Sequence, residues 1–132
     1  MNPSLKAHFL NLYSIALSDT QFDEKEIALL YRIGEEKGIP KEDIDLIFLN
    51  PSSVKFHYPD SLAEKIDYLY DYAKLIVVDS IIHDEEIRTL EKFCQKFDFE
   101  VENIPTIIDL LIEAAKTNTS NVDLIKFVTA NN

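Results

Sequence analysis

Two short acidic segments carry the chemistry that this sequence can offer. IALSDTQFDEKEIALL places Asp19 and Glu26 seven residues apart, and LIVVDSIIHDEEIRTL repeats that spacing sixty residues later with Asp79 and Glu86. The same shift sets Phe22 on Ile82, Ile27 on Ile87, Leu30 on Leu90 and Ile39 on Phe99. Four carboxylates gathered in one place cannot all stay ionised without a counter-charge. The chemistry to expect of Asp19, Glu26, Asp79 and Glu86 is therefore metal binding, with Asp23 and His83 as additional donors. An oxygen-rich set favours a hard divalent cation, Ca²⁺, Mg²⁺ or Mn²⁺, over Zn²⁺.

Local structure offers a competing account of each acid. Glu26 suits the reciprocal position of a capping box with Asp23 as N-cap. At the equivalent place in the second copy stands His83, a poor cap, and a cap at Asp84 would make Ile87 the reciprocal residue. Capping alone thus explains one glutamate better than two. Asp19 and Asp79 each follow an apolar helical run, where an acid opposes the helix dipole at a cost of roughly 0.3–1 kcal/mol. Either a cation or N–H groups of the following turn compensates. Neither segment is a calcium EF-hand loop, because Ile15 and Leu17, or Leu75 and Val77, would occupy ligating positions.

These acids need helices to position them, and the apolar spacing is helical almost throughout. Leu5, Phe9, Leu12 and Ala16 form one stripe; Ile27, Leu30, Tyr31 and Gly34 a second; Leu62, Ile66, Leu69, Ala73 and Ile76 a third. Ile107, Ile108, Leu111 and Ala115 form a fourth. The pattern predicts helices over 3–18, 23–37, 40–49, 60–78, 84–97, 103–117 and 120–130. Gly38 suits a left-handed C-terminal cap, Pro40 an opening turn, and Asn50-Pro51 a stop. Ser61, with Glu64 three residues on, suits an N-cap. Pro105 falls near the start of the sixth helix, where it is tolerated, and PSSVKFHYP is the one long irregular connection. The expected fold is all-α, a compact single domain spanning 1–132, with about seven helices in two pseudo-symmetric halves, about 5–50 and 60–117.

At the acidic segments the chain resembles the TerB-like family associated with tellurite resistance. The likeness runs from about Leu5 to Ile112 and is carried by IALSDTQFDEKEIALLYRIGEEKGI and EKIDYLYDYAKLIVVDSIIHDEEIRTLEKF. That family is an all-helical domain whose halves each carry Asp-Gly-x-apolar-x-x-x-Glu. The resemblance implies a cytoplasmic bacterial domain that chelates metal through Asp19, Glu26, Asp79 and Glu86 and works in stress-response complexes near membranes. The chain departs from the family at the glycine, where Thr20 and Ser80 stand. A turn that needs a positive backbone angle is strained by either residue.

Composition narrows the remaining choices. The chain has 132 residues, 46% hydrophobic and 28% charged, which fits one globular domain. Its net charge of −11 repels phosphate backbones and anionic headgroups, so protein surfaces and cations are better partners than nucleic acid or membrane. No apolar run approaches the ~20 residues of a membrane span, so no direct membrane insertion is expected. MNPSLKAHFLNLYS lacks the basic start and apolar stretch of a signal peptide, making the cytoplasm the default compartment. The single cysteine, Cys94, reads as a small buried hydrophobe. His8 and His57 read as ordinary surface or half-buried residues, and Glu35-Glu36 and Asp84-Glu85-Glu86 as mostly solvated helix surface. Tyr68, Tyr70 and Tyr72 read as packing residues. No glycine-rich phosphate loop and no nucleophile with a base is identifiable, so no enzymatic activity is expected. The two readings that stand are a metal-binding regulatory or adaptor module and a purely structural helical interaction module.

Overall fold

The middle of one helix of this protein is buried on every side, and the rest of the fold is arranged around it. A computed structural model describes residues 3–18, 24–55, 57–78 and 81–130. Among them are seven helices: α1 (Pro3–Ser18), α2 (Glu24–Glu36), α3 (Lys41–Leu49), α4 (Leu62–Val77), α5 (Asp84–Lys96), α6 (Ile104–Lys116) and α7 (Asn121–Ala130). Short 3₁₀ turns occupy Pro51–Ser53 and Val101–Asn103, and the described residues contain no strand. Every described helix lies within two residues of the range that apolar spacing predicts.

In α4 the six consecutive residues Tyr68 to Ala73 are all buried. A helical stretch buried on all its faces must be enclosed by neighbours. Accordingly α4 packs against α1, α2, α5, α6 and α7. Tyr70 and Tyr72 are fully buried with Phe9, Leu12, Ile15, Leu69 and Ile76. Each such aliphatic or Phe side chain contributes about 1.5–3 kcal/mol on leaving water. Tyr68, Tyr70 and Tyr72 do spread around the helix, and all three are core residues. The Tyr72 ring lies 4.9 Å from Phe93, which lies 6.4 Å from Phe97.

The polar contacts fix how α1 meets α4. Ser4 reaches Glu64 and Tyr68, His8 reaches Asp71 and Tyr72, and Asn11 reaches Tyr72. Partners therefore advance together along both helices, so α1 and α4 run parallel. Both contain 16 residues, so their C-terminal ends emerge at the same end of the bundle. The helices that follow, α2 and α5, each pack against both members of this pair.

Helix ends follow the expected chemistry. Gly38 has a φ of 77° and lets the Ile39 N–H donate back to the Gly34 carbonyl at 2.8 Å. Asp98 (φ 68°) makes the same turn, with the Phe99 N–H donating to Cys94 O at 3.1 Å. Pro40 stands one residue before α3, at its N-cap, and α3 ends at Leu49, two residues before Pro51. Ser61 Oγ accepts the Glu64 N–H at 3.1 Å, while the Glu64 carboxylate accepts the Ser4 hydroxyl. Cys94 is fully buried, and burial, then the Glu91 charge, pushes its thiol up to about 12. No described helix is long and apolar enough to cross a membrane.

Candidate functional site

Of the acids singled out from the sequence, the structure describes Glu26 and Glu86. Asp19, Asp23 and Asp79 lie outside the described residues, as do Thr20 and Ser80. Glu26 and Glu86 are each only 1% exposed and, with Asp71, are the buried carboxylates among the described residues. This corrects the expectation that Glu86 belongs to a solvated acidic surface; Asp84 and Glu85 beside it are exposed. Each glutamate is the third residue of its helix, α2 or α5, and so lies near the positive end of a helix dipole. Those two helices follow α1 and α4, whose C-terminal ends lie at the same end of the bundle.

His83 is the N-cap residue of α5, with extended backbone angles (φ −91°, ψ 144°), and Glu86 Oε1 accepts its N–H at 3.1 Å. Capping therefore does account for the second glutamate, against the expectation drawn from His83 as a poor cap. The reason is that the reciprocal half of a capping box needs only the backbone N–H of the cap residue, whatever its side chain. Among the described residues no group of three or more His, Cys, Asp or Glu is placed to hold a metal.

A second polar centre lies between α1 and α4. His8, expected at or near the surface, is 1% exposed, and Asp71 is equally buried. The chemistry of burial explains why they are together, since a charge taken from water must be paired and hydrogen-bonded. Asp71 Oδ2 accepts from His8 Nε2 at 2.8 Å and from Lys37 Nζ at 3.0 Å. Its Oδ1 accepts from Asn121 Nδ2 at 3.0 Å and from Lys74 Nζ at 3.3 Å. Burial opposes the Asp71 charge, but the His8 hydrogen bond and the Lys37 and Lys74 charges more than offset it, holding the carboxyl well below its usual range. Burial likewise lowers His8, against the pull of Asp71. A neutral His8 protonated at Nε2 satisfies both neighbours, donating to Asp71 and accepting the Tyr72 hydroxyl at Nδ1, 3.0 Å away. Tyr68 stacks on the His8 ring at 4.0 Å.

Two features of the sequence point to this centre. Ser4, His8 and Asn11 form a polar stripe on an otherwise apolar helix, at intervals of four and three. Asp71 interrupts the apolar run YLYDYA, with Lys74 one turn later. Read one residue at a time, neither pattern reveals its partner on the other helix. The hydrogen bonds of this centre join α1, the end of α2, α4 and α7. Its outer members, Lys37, Asp67, Lys74 and Asn121, form one wall of a cleft of about 1000 Å³ between α2, α4 and the α6–α7 turn. Comparison of the chain with protein-family models, with curated proteins and with solved structures finds no match.

Proposed function

We propose that this chain is a non-catalytic helical module that binds a divalent cation through its repeated acidic segments and serves as a regulatory or adaptor domain of the TerB-like kind. One observation carries the reading. Glu26 and Glu86, sixty residues apart and equally buried, open two helices that each pack against both α1 and α4. Helix pairing supports two related halves. Exchanging α1, α2 and α3 for α4, α5 and α6 maps α1–α2 on α4–α5, α1–α3 on α4–α6 and α2–α3 on α5–α6, all of which are packed pairs.

The donor chemistry fits a hard ion, since the four principal donors of this reading are carboxylates. Two carboxylates do not complete a shell, so Asp19 and Asp79 are required with Glu26 and Glu86, and Asp23 and His83 are further donors. A bound ion supplies positive charge that neutralises these acids and ties one half of the domain to the other. The exposed helical surface then contacts a protein partner in a stress-response complex.

The hydrogen bond from the His83 N–H to Glu86 favours a second reading, in which the acids only cap helices and the domain is a metal-free interaction module. Thermal unfolding of EDTA-treated protein separates the two. A cation at 100 times its Kd stabilises by about 2.7 kcal/mol, which raises the midpoint of a domain this size by roughly ten degrees. The metal reading expects that rise with Ca²⁺, Mg²⁺ or Mn²⁺, and its loss in Asp19→Asn/Asp79→Asn. A midpoint that no ion moves leaves the metal-free module.

A further inference from the structure

The cleft between α2, α4 and the α6–α7 turn has a charge opposite to that of the chain. Four of the 13 basic residues line it, Arg32, Lys37, Lys74 and Lys116, against the carboxylates of Glu36 and Asp67, in a protein of net charge −11. Lys37 and Lys74 are already committed, Lys37 to Asp67 and Asp71 and Lys74 to Asp71. Arg32 and Lys116 are exposed and form no ion pair among the described residues. With Asp71 counted behind the wall, the cleft keeps a surplus of one positive charge among the described residues. Residues 120–122, the N-cap and first turn of α7, also line it, and the first N–H groups of a helix have no acceptor within the helix.

The remaining lining is apolar, with Leu29, Val77, Val78 and Ile82 contributing from α2, α4 and the segment leading to α5. A volume of about 1000 Å³ is at the upper end of small-molecule sites and far exceeds what a simple inorganic ion needs. We propose that this cleft binds an amphipathic organic monoanion, a single carboxylate on an apolar body. The head group lies against Arg32, Lys116 and the start of α7, and the body covers the aliphatic side chains. A single surplus charge matches a carboxylate better than a dianionic phosphate. Arg32 can engage such a group through two parallel N–H bonds. The proposal does not rest on the cation reading, so its test is run without metal.

The experiment is calorimetric titration of the full chain in EDTA with decanoate, kept below its micelle concentration, beside decanol and acetate. Saturable one-to-one binding of decanoate is expected, at least about tenfold tighter than either the neutral tail or the bare head. Arg32→Ala/Lys116→Ala should weaken it about tenfold or more with an unchanged thermal midpoint, because both side chains are exposed and lie outside the buried network. Val122→Asp, at a residue 60% exposed on the rim, adds a carboxylate without touching the core and should weaken binding in the same way. It decides the matter if the double variant is unstable. Equal affinity for decanol and decanoate, wild-type affinity in the folded variants, or no saturable binding at millimolar decanoate would each overturn the proposal.

Discussion

His8 Nε2 lies 2.8 Å from Asp71 Oδ2 at the interface of two parallel helices, with both residues only 1% exposed. The pair is one contact in a set of four around a single carboxylate. His8 from α1, Lys37 from just beyond α2, Lys74 from α4 and Asn121 from α7 all donate to Asp71. One acid thus sets where four segments meet.

Removing that acid strands its donors. Asp71→Ala should cost about 3–5 kcal/mol in urea unfolding, the range for breaking a buried ion pair by deleting one partner. Asp67, whose side chain is 24% exposed, shares Lys37 and Asn121, but water can replace it. Asp67→Ala should cost about 1 kcal/mol or less. Equal costs for the two would show that Asp71 has no special place in the fold.

Stability should fall on acidification before ordinary carboxylates titrate. Burial lowers the His8 pKa in the folded state, so the unfolded chain takes up that proton first, and stability is lost as pH drops below about 6.5. The slope attributable to His8 can reach about 1.36 kcal/mol per pH unit. Asp71 acts in the same direction at lower pH. Its carboxyl is depressed in the folded state, so its contribution is present above about 3.9 and is lost as pH falls further. The measurement is urea stability from pH 7.5 to 4.5 for wild type and His8→Gln. The difference isolates His8 from His57 and His83, and parallel curves would refute its neutral buried state.

Gly34 is fixed by packing, while the helix-ending turns at Gly38 and Asp98 predict opposite responses to exchange with glycine. Gly34→Ala should cost about 1–3 kcal/mol through overpacking, because the added Cβ would overlap Ile44 Cδ1 and Ile44 is fully buried. At Gly38 a Cβ has open space, but its φ of 77° opposes any L residue by roughly 1–2 kcal/mol. Asp98 already bears such strain at φ 68°, so Asp98→Gly should raise stability by about 0.5 kcal/mol. A lower thermal midpoint for Asp98→Gly would contradict this account.

Attachment of α7 depends on its first residues. Leu124 is the buried residue of that helix, while Asn121 bridges Asp67 and Asp71 and accepts Lys74 at 2.7 Å. Tyr70 adds a hydrogen bond to Thr119 O at 2.6 Å. Asn121→Ala should cost about 1–3 kcal/mol and speed hydrogen exchange throughout α7 while α4 stays protected. Unchanged exchange in α7 would locate its anchorage elsewhere.

The helices were legible in the sequence because their signals are local. Apolar residues recurring at three and four positions, Gly38 before Ile39, and Asn50-Pro51 each act within one or two turns of backbone, so a single strand of text contains cause and effect. The sixty-residue repeat was legible for the same reason: the bounds of α5 are those of α2 advanced by sixty. Burial of Glu86 was not legible, because its neighbours Asp84 and Glu85 are acidic too and only the packing of α5 on α1 and α4 separates the inward face from the outward one. The His8–Asp71 pair was hidden more deeply. A histidine on one helix and an aspartate sixty-three residues away carry no mutual mark in the sequence, and each alone looks tolerable at a surface. Only the parallel docking of α1 on α4 takes both out of water, and once there neither can remain without the other. Periodicity therefore determined the helices, while tertiary packing decided which polar side chains had to become partners, because desolvation depends on every surrounding element at once.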